Sequence, residues 1–141
     1  MKIVFLSEGV DFQLDKKAIY HKWLKKVCKE EKIKLGEIIY RFVSEERILE
    51  LNKQYLNHDY LTDIITFDDS FINEINGDIY ICIDVVRRNS KDISGHSFKE
   101  ELERVIVHGL LHLAGYNDRT EEEKRDMRDK EDHYMEMIVT R

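Results

Sequence analysis

The stretch Val107-His108-Gly109-Leu110-Leu111-His112-Leu113-Ala114-Gly115-Tyr116-Asn117-Asp118 decides how this chain is read. Two histidines stand four residues apart in a run with helical apolar spacing. On a helix, positions i and i+4 share one face, about one turn apart. That spacing lets two imidazoles reach one metal ion. Gly115 follows three residues after His112 and predicts the helix end, because glycine takes the left-handed backbone that stops a helix. A chain turned back there brings Asp118 toward the same ion. Two histidines and a carboxylate suit zinc with a fourth position open to water, the arrangement of catalytic rather than structural zinc. Paired histidines also arise as buried rings bonded to backbone. The glycine, the aspartate and the apolar setting favour the metal.

Working outward, Ser97 with Glu100 forms a capping box that starts this helix, and Leu102, Val105, Ile106 and Leu113 give it a buried side. Thr120 with Glu123 forms a second box opening the last helix, whose inner side carries Met127, Glu131, Tyr134, Met135 and Ile138. Toward the N-terminus, residues 1–6 read as a short buried strand. Asp15 predicts the cap of a helix running to about residue 32, with Ile19, Tyr20, Trp23, Leu24, Val27 and Cys28 on one face. Its lysines read as a solvated face. Gly36 opens a strand at 37–43, and Ser44 caps a second helix ending near Leu56. Residues 57–61 read as a loop, 62–67 as a β-branched strand, and 68–76 as a polar loop anchored by Phe71, Ile72 and Ile75. A fourth strand covers 77–83, and Asp84 caps a helix through about Lys91. There is no proline, repeat or low-complexity linker. The expectation is an α+β fold, about five helices around a small mixed four-stranded sheet, as a metalloprotease-like single domain over 1–141.

The bulk numbers exclude several classes. At 141 residues the chain buries a core without disulfide staples. Its formal net charge of −6 gives no overall field that attracts nucleic acid, so such binding needs a local surface. Cys28 and Cys82 lie far apart and read as core thiols. No N-terminal run resembles a signal peptide and no stretch has the length of a membrane span, so a soluble, cytoplasmic protein without membrane partners is expected.

A three-ligand zinc polarises oxygen and acidifies water, which points to hydrolysis. The order His-x-x-x-His-x-x-Gly-x-x-Asp mimics the spacing of metzincin proteases, which place a glutamate after the first histidine as general base. Here that residue is Gly109, so a peptidase would lack its proton acceptor.

Taken together, His108-Gly109-x-Leu111-His112-Leu113-x-Gly115-Tyr116 resembles the signature of the YbeY family of endoribonucleases and rRNA maturation factors. Leu51-Asn52-x-x-Tyr55 and Thr62-Asp63-Ile64-Ile65-Thr66-Phe67 resemble that family's Leu-Asn-x-x-Tyr and Thr-Asp-Val-Leu-Ser-Phe segments. Gly77-Asp78-Ile79-Tyr80-Ile81 resembles its Gly-Asp-Ile strand, and Met127 to Glu131 its closing Met-x-x-x-Glu pattern. The resemblance covers about residues 40–135, with the landmarks in the right order. It implies a zinc-dependent, single-strand-specific endoribonuclease acting in small-subunit rRNA maturation and ribosome quality control. It further implies ribosomal proteins or ribosome-associated factors as partners. His108 and His112 would be catalytic through the metal, with Zn2+ on His108, His112 and Asp118.

The chain departs from the family's usual pattern twice. Most members end the motif with Asp-His and use that histidine as third ligand. Here Asn117-Asp118 stands there, so Asp118 or a water takes the third place, and a carboxylate makes the ion a weaker Lewis acid. The usual pattern also has an arginine after the tyrosine matching Tyr55, where this chain has Leu56. His58, Arg87 and Arg88 are the nearest cations in motif order to replace it. Thr62 and Asp63 are expected along the cleft, and Asp78 as a turn residue bonded to backbone. The alternatives are a non-catalytic ribosome-biogenesis factor with a structural metal, favoured by the missing arginine and the altered ligand, and the metalloprotease.

Overall fold

Apolar periodicity sets the order of elements. The structure is a computed structural model that describes residues 2–138. Among these residues the elements are β1 (Lys2–Ser7), α1 (Lys17–Glu30), β2 (Lys34–Val43), α2 (Glu45–Leu56), β3 (Ile64–Asp68), β4 (Glu74–Cys82), α3 (Ile83–Asn89), α4 (Phe98–Leu113) and α5 (Glu121–Met135). A π-helical turn, Ser90–Ser94, continues α3. The strands lie in the order β1-β2-β4-β3. β1 pairs parallel with β2 and β2 with β4, whereas β3 pairs antiparallel with β4. The mixed four-stranded sheet and five α-helices match the expectation.

Side-chain alternation gives the sheet two apolar faces. Ile3, Phe5, Ile38, Tyr40, Phe42, Ile79 and Ile81 enter the larger core with Trp23 and Leu24 of α1, Ile106 and Leu110 of α4, and Tyr134 of α5. Val43, Ile65 and Cys82 face the other way and meet Ile48 and Leu51 of α2 and Val85 of α3 in a smaller core. Both cysteines are buried free thiols, and burial pushes the Cys28 thiol up to about 11. Polar bonds between layers fix the register of the helices. The Tyr40 hydroxyl donates to the Ile106 carbonyl at 2.7 Å, and the Trp23 indole N–H donates to the Tyr134 carbonyl at 2.7 Å. The first of these ties α4 to the sheet two residues before His108.

Several local expectations change. Met1, the first residue of the expected opening strand, lies outside the described residues. α1 starts after Lys16, which has a left-handed backbone (φ 55°), and it has no side-chain cap, so Asp15 is not its N-cap. Cys82, not Asp84, is the N-cap of α3, and Asp84 lies in the first turn. Residues 62 and 63 precede β3 rather than belong to it, and β4 begins three residues early because the hairpin closes tightly through the Phe71–Glu74 bridge. Ile75 is buried there, but Phe71 and Ile72 are 73% and 91% exposed and join neither core among the described residues. Asp78 sits within β4 and pairs with Arg41 across to β2, so it is no turn residue.

Candidate metal centre

The group of interest is made by one helix and the way it ends. α4 begins at the Ser97 cap, where Ser97 accepts from the Glu100 N–H and Glu100 reaches back to the Ser97 N–H. It ends in a paired hydrogen-bond motif. The Tyr116 N–H reaches the Leu111 carbonyl and the Gly115 N–H the His112 carbonyl, both at 3.0 Å. This Schellman arrangement requires a left-handed residue at Gly115, which has φ 105°. The reversal brings Asp118 back over the face that carries His108 and His112.

The three side chains converge. His108 Nε2 and His112 Nε2 lie 2.9 Å apart, and Asp118 Oδ2 lies 3.4 Å from each. Ligands ~2.0–2.1 Å from one tetrahedral zinc stand roughly 3.3 Å from each other, so the triangle has the size such an ion requires. The rings are also oriented for it. His108 Nδ1 lies 2.6 Å from Glu131 Oε2, and His112 Nδ1 lies 2.9 Å from the Tyr116 carbonyl. A carbonyl and a carboxylate only accept, so each Nδ1 carries the proton and each Nε2 keeps its lone pair toward Asp118. Among the described residues, His108, His112 and Asp118 are the group of histidine, cysteine and acidic side chains that can hold a metal ion.

The support for His108 goes one layer further. Glu131 is 5% exposed on the inner side of α5, and its other oxygen accepts from Arg104 at 2.8 Å. Arg104 also donates to Asp132 at 2.6 Å. Burial works against a charge on His108, but the Glu131 bond and the charges of Glu131, Asp118 and Asp63 outweigh it and raise its pKa. Asp63 moves up as well, because burial disfavours its charge more than His108 favours it. Asp63 directly precedes Ile64, whose side chain packs on Gly109 between the two histidines. Thr62 stands next to Asp63, in the loop before β3.

Gly109 explains why the metzincin glutamate has no counterpart here. A Cβ on Gly109 would lie 2.9 Å from Ile64 Cδ1 and 3.1 Å from Ile79 Cγ2. The position faces β3 and β4 and has no room for a side chain, so the proteolytic reading fails on packing as well as on sequence. The remaining sequence candidates have other partners. Arg87 lies over the Phe98 ring at 4.3 Å, Arg88 pairs with Glu45, and His58 stacks on Tyr60. His133, expected at the surface, pairs there with Glu30 at 2.5 Å.

The family model described as "Endoribonuclease YbeY" matches residues 5–139. The chain belongs to the YbeY family. Its relatives there include the endoribonuclease YbeY of Cytophaga hutchinsonii, 47% identical over 92% of this chain and 91% of that protein. The Flavobacterium psychrophilum protein of the same name is 44% identical over 96% of each chain. The one from Bacteroides thetaiotaomicron is 42% identical over 97% of this chain and 99% of its own length. Among solved structures, the solution structure of TM1509 from Thermotoga maritima superposes with a TM-score of 0.63 at 29% identity, covering 97% of this chain and 89% of that one.

Within the YbeY fold of this chain, two supports escaped the sequence reading. The Tyr116 carbonyl is a backbone group, invisible to motif reading. Glu131 did carry a signal: an acid on the otherwise apolar side of α5, between Met127 and Tyr134.

Proposed function

We propose that this chain is a zinc-dependent endoribonuclease that cuts single-stranded RNA. It acts in small-subunit rRNA maturation and ribosome quality control, in the cytoplasm, with ribosomal proteins or ribosome-associated factors as partners. The observation that carries the reading is the triangle of His108 Nε2, His112 Nε2 and Asp118 Oδ2 in a member of an endoribonuclease family. No helix among the described residues is long and apolar enough to cross a membrane.

Zinc held there would polarise a phosphodiester oxygen and acidify water. The chain's own residues prepare that chemistry. Glu131 and the Tyr116 carbonyl hold both imidazoles with Nε2 unprotonated and aimed inward. Asp118 brings a negative charge that balances part of a divalent ion. Thr62 and Asp63 line the substrate side where the loop meets β3. Arg87 and Arg88 on α3 are the cations assigned to flanking phosphates, each released from its present ring or carboxylate partner when RNA binds.

The test is cleavage of an unstructured RNA by metal-loaded protein, with elemental analysis of the same preparation and of Asp118→Ala. Bound zinc, cleavage, and lower zinc occupancy in the variant are expected. Full occupancy in Asp118→Ala would remove Asp118 from the ligand set. Zinc-site variants that cut nothing yet still associate with small ribosomal subunits would favour the non-catalytic biogenesis factor.

A further inference from the structure

The end of α2 and the loop that follows it expose aromatic rings that folding does not account for. Tyr55 and Tyr60 are 59% and 57% exposed, although burying an aromatic ring is among the larger apolar gains open to a chain. The His58 and Tyr60 rings lie stacked, with centroids 5.0 Å apart and planes inclined by 19°, and the Tyr60 hydroxyl is 3.0 Å from His58 Nδ1. Tyr55 meets Phe67 of β3 edge-on at 5.5 Å.

The backbone beneath these rings is held firmly. Asn52, buried on α2, binds the loop twice. Its carbonyl accepts the His58 N–H at 3.1 Å, and its side-chain amide donates to the Tyr60 carbonyl at 2.7 Å. Asn57 supplies the left-handed turn at φ 58°, a backbone that asparagine tolerates. Lys53 and Asp59 pair across the loop at 3.3 Å. A buried amide and an ion pair thus present two rings to solvent.

The loop also has a fixed place beside the metal group. The carbonyl of its last residue, Asp63, accepts the Cys82 N–H at the end of β4, at 2.9 Å. The next, Ile64, packs on Gly109 between the two histidines. Tyr60 stands four positions before Ile64, at most ~14 Å of extended chain. Charge does not explain what would bind there, since the chain carries −6 overall and the loop adds Asp59 and Asp63. Base stacking needs no charge and accepts any base, because every base has a π-face.

We propose that the stacked His58 and Tyr60 rings, with Tyr55 beside them, form a platform on which an unpaired RNA base stacks next to the metal centre. The proposal rests on the RNA-cleaving reading and adds to it the surface that separates single strands from duplex. A base inside a duplex is covered on both faces by its neighbours and cannot reach the rings. His58 then works through its ring face and not as a stand-in for the missing arginine.

The experiment is steady-state cleavage of a short unstructured oligouridylate, and of the same strand paired with its complement, by metal-loaded full-length protein. Tyr60→Ala is expected to raise KM for the single strand about 5- to 150-fold, the range for loss of one base–aromatic stack, with kcat within about 3-fold of the parent. Tyr60→Phe keeps the ring and should keep KM within about 3-fold. The Tyr60 side chain is exposed and the bond to Asn52 uses its backbone, so thermal melts of these variants should match the parent. Unchanged KM in both Tyr60→Ala and His58→Ala would overturn the platform and leave the surface to a protein partner. An equal rise in Tyr60→Ala and Tyr60→Phe would also overturn it, assigning the effect to the hydroxyl. If the parent protein cuts no RNA, the RNA-cleaving reading itself fails, and the platform fails with it. Cleavage by the parent with unaltered KM in the variants sinks the platform alone.

Discussion

His108 and His112 stand on the second half of α4, a helix of 16 residues, while Thr62, Asp63 and the rings of Tyr55, His58 and Tyr60 stand on or beside a loop. The helical wall is braced from three sides: Glu131 from α5, the Tyr116 carbonyl just beyond the helix end, and the Tyr40 hydroxyl from the sheet. The loop wall is held by its flanking elements: Asn52 and Lys53 of the preceding helix, and Cys82 of β4, whose N–H reaches the Asp63 carbonyl. The difference matches the roles proposed for the two walls. Metal ligands need fixed angles, so they are built on a rigid element with buried support. A surface for unpaired bases needs exposed rings and tolerates variation in the strand it meets.

If the division is real, damage to the helical wall should appear first in metal content. On the proposed ligand set His112→Ala removes one of three ligands, and its effect on zinc affinity should exceed the roughly 10–100-fold that loss of an outer hydrogen-bond partner costs. RNA cleavage should vanish with the metal. The check is elemental analysis alongside a cleavage assay; a variant that keeps both its zinc and its activity would place the metal elsewhere.

Glu131→Gln should be the next largest change. The amide still accepts from His108 but lacks the charge, and Arg104 loses a carboxylate. Zinc affinity, read by competition with a chelator, should fall by about 10–100-fold. An affinity equal to the parent's would show that Glu131 serves the α4–α5 interface and not the metal.

Asn52→Ala probes the other wall. It removes the amide that holds the Tyr60 carbonyl and leaves a small cavity on α2, with an expected loss of about 1–3 kcal/mol. Zinc affinity should stay at the parent value while KM for single-stranded RNA rises. Zinc loss in this variant would mean that the two walls are one mechanical unit.

The two walls also differed in how readily the sequence revealed them. The bounds of α4 are legible because its signals are local: Ser97 with Glu100 at one end and Gly115 at the other. The pairing of His108 with His112 is likewise a property of helical spacing. Asp118 needed only the reversal at Gly115. Glu131 was read as an inward-facing residue of the last helix, yet its contact with His108 depends on how α5 packs across α4, which periodicity does not report. On the loop side, the stretch 62–67 looked like a continuous strand because Thr62, Ile64, Ile65 and Thr66 are all β-branched. The ladder nevertheless begins at Ile64, where pairing with Ile81 starts. Phe71 and Ile72 looked like anchors because they are apolar, but the tight hairpin turns them outward. The start of α1 departs from its local signal for a related reason: Asp15 has capping chemistry, while the left-handed turn at Lys16 sets the helix start.

The smallest expected effect lies behind the helical wall, at Glu31. This carboxylate at the end of α1 accepts from the Tyr116 hydroxyl at 2.6 Å, from Lys130 at 3.0 Å and from the Tyr134 hydroxyl. Burial alone would raise its pKa, but the hydrogen bonds from Tyr116, Tyr134 and Lys130 prevail and hold it below the ordinary carboxylate value. A group depressed in the folded state stabilises the fold above its unfolded pKa, near 4.5, and that stability is lost as pH falls through the folded value. Glu31→Gln should therefore melt lower than the parent at neutral pH, by the equivalent of about 1–3 kcal/mol, and the gap should close as the pH is taken below 4.5. Zinc affinity should change little, because His112 is held by the Tyr116 carbonyl and not by its hydroxyl. A gap that persists unchanged at acid pH would assign Glu31 to packing, whereas zinc loss in Glu31→Gln would extend the helical wall as far as α1.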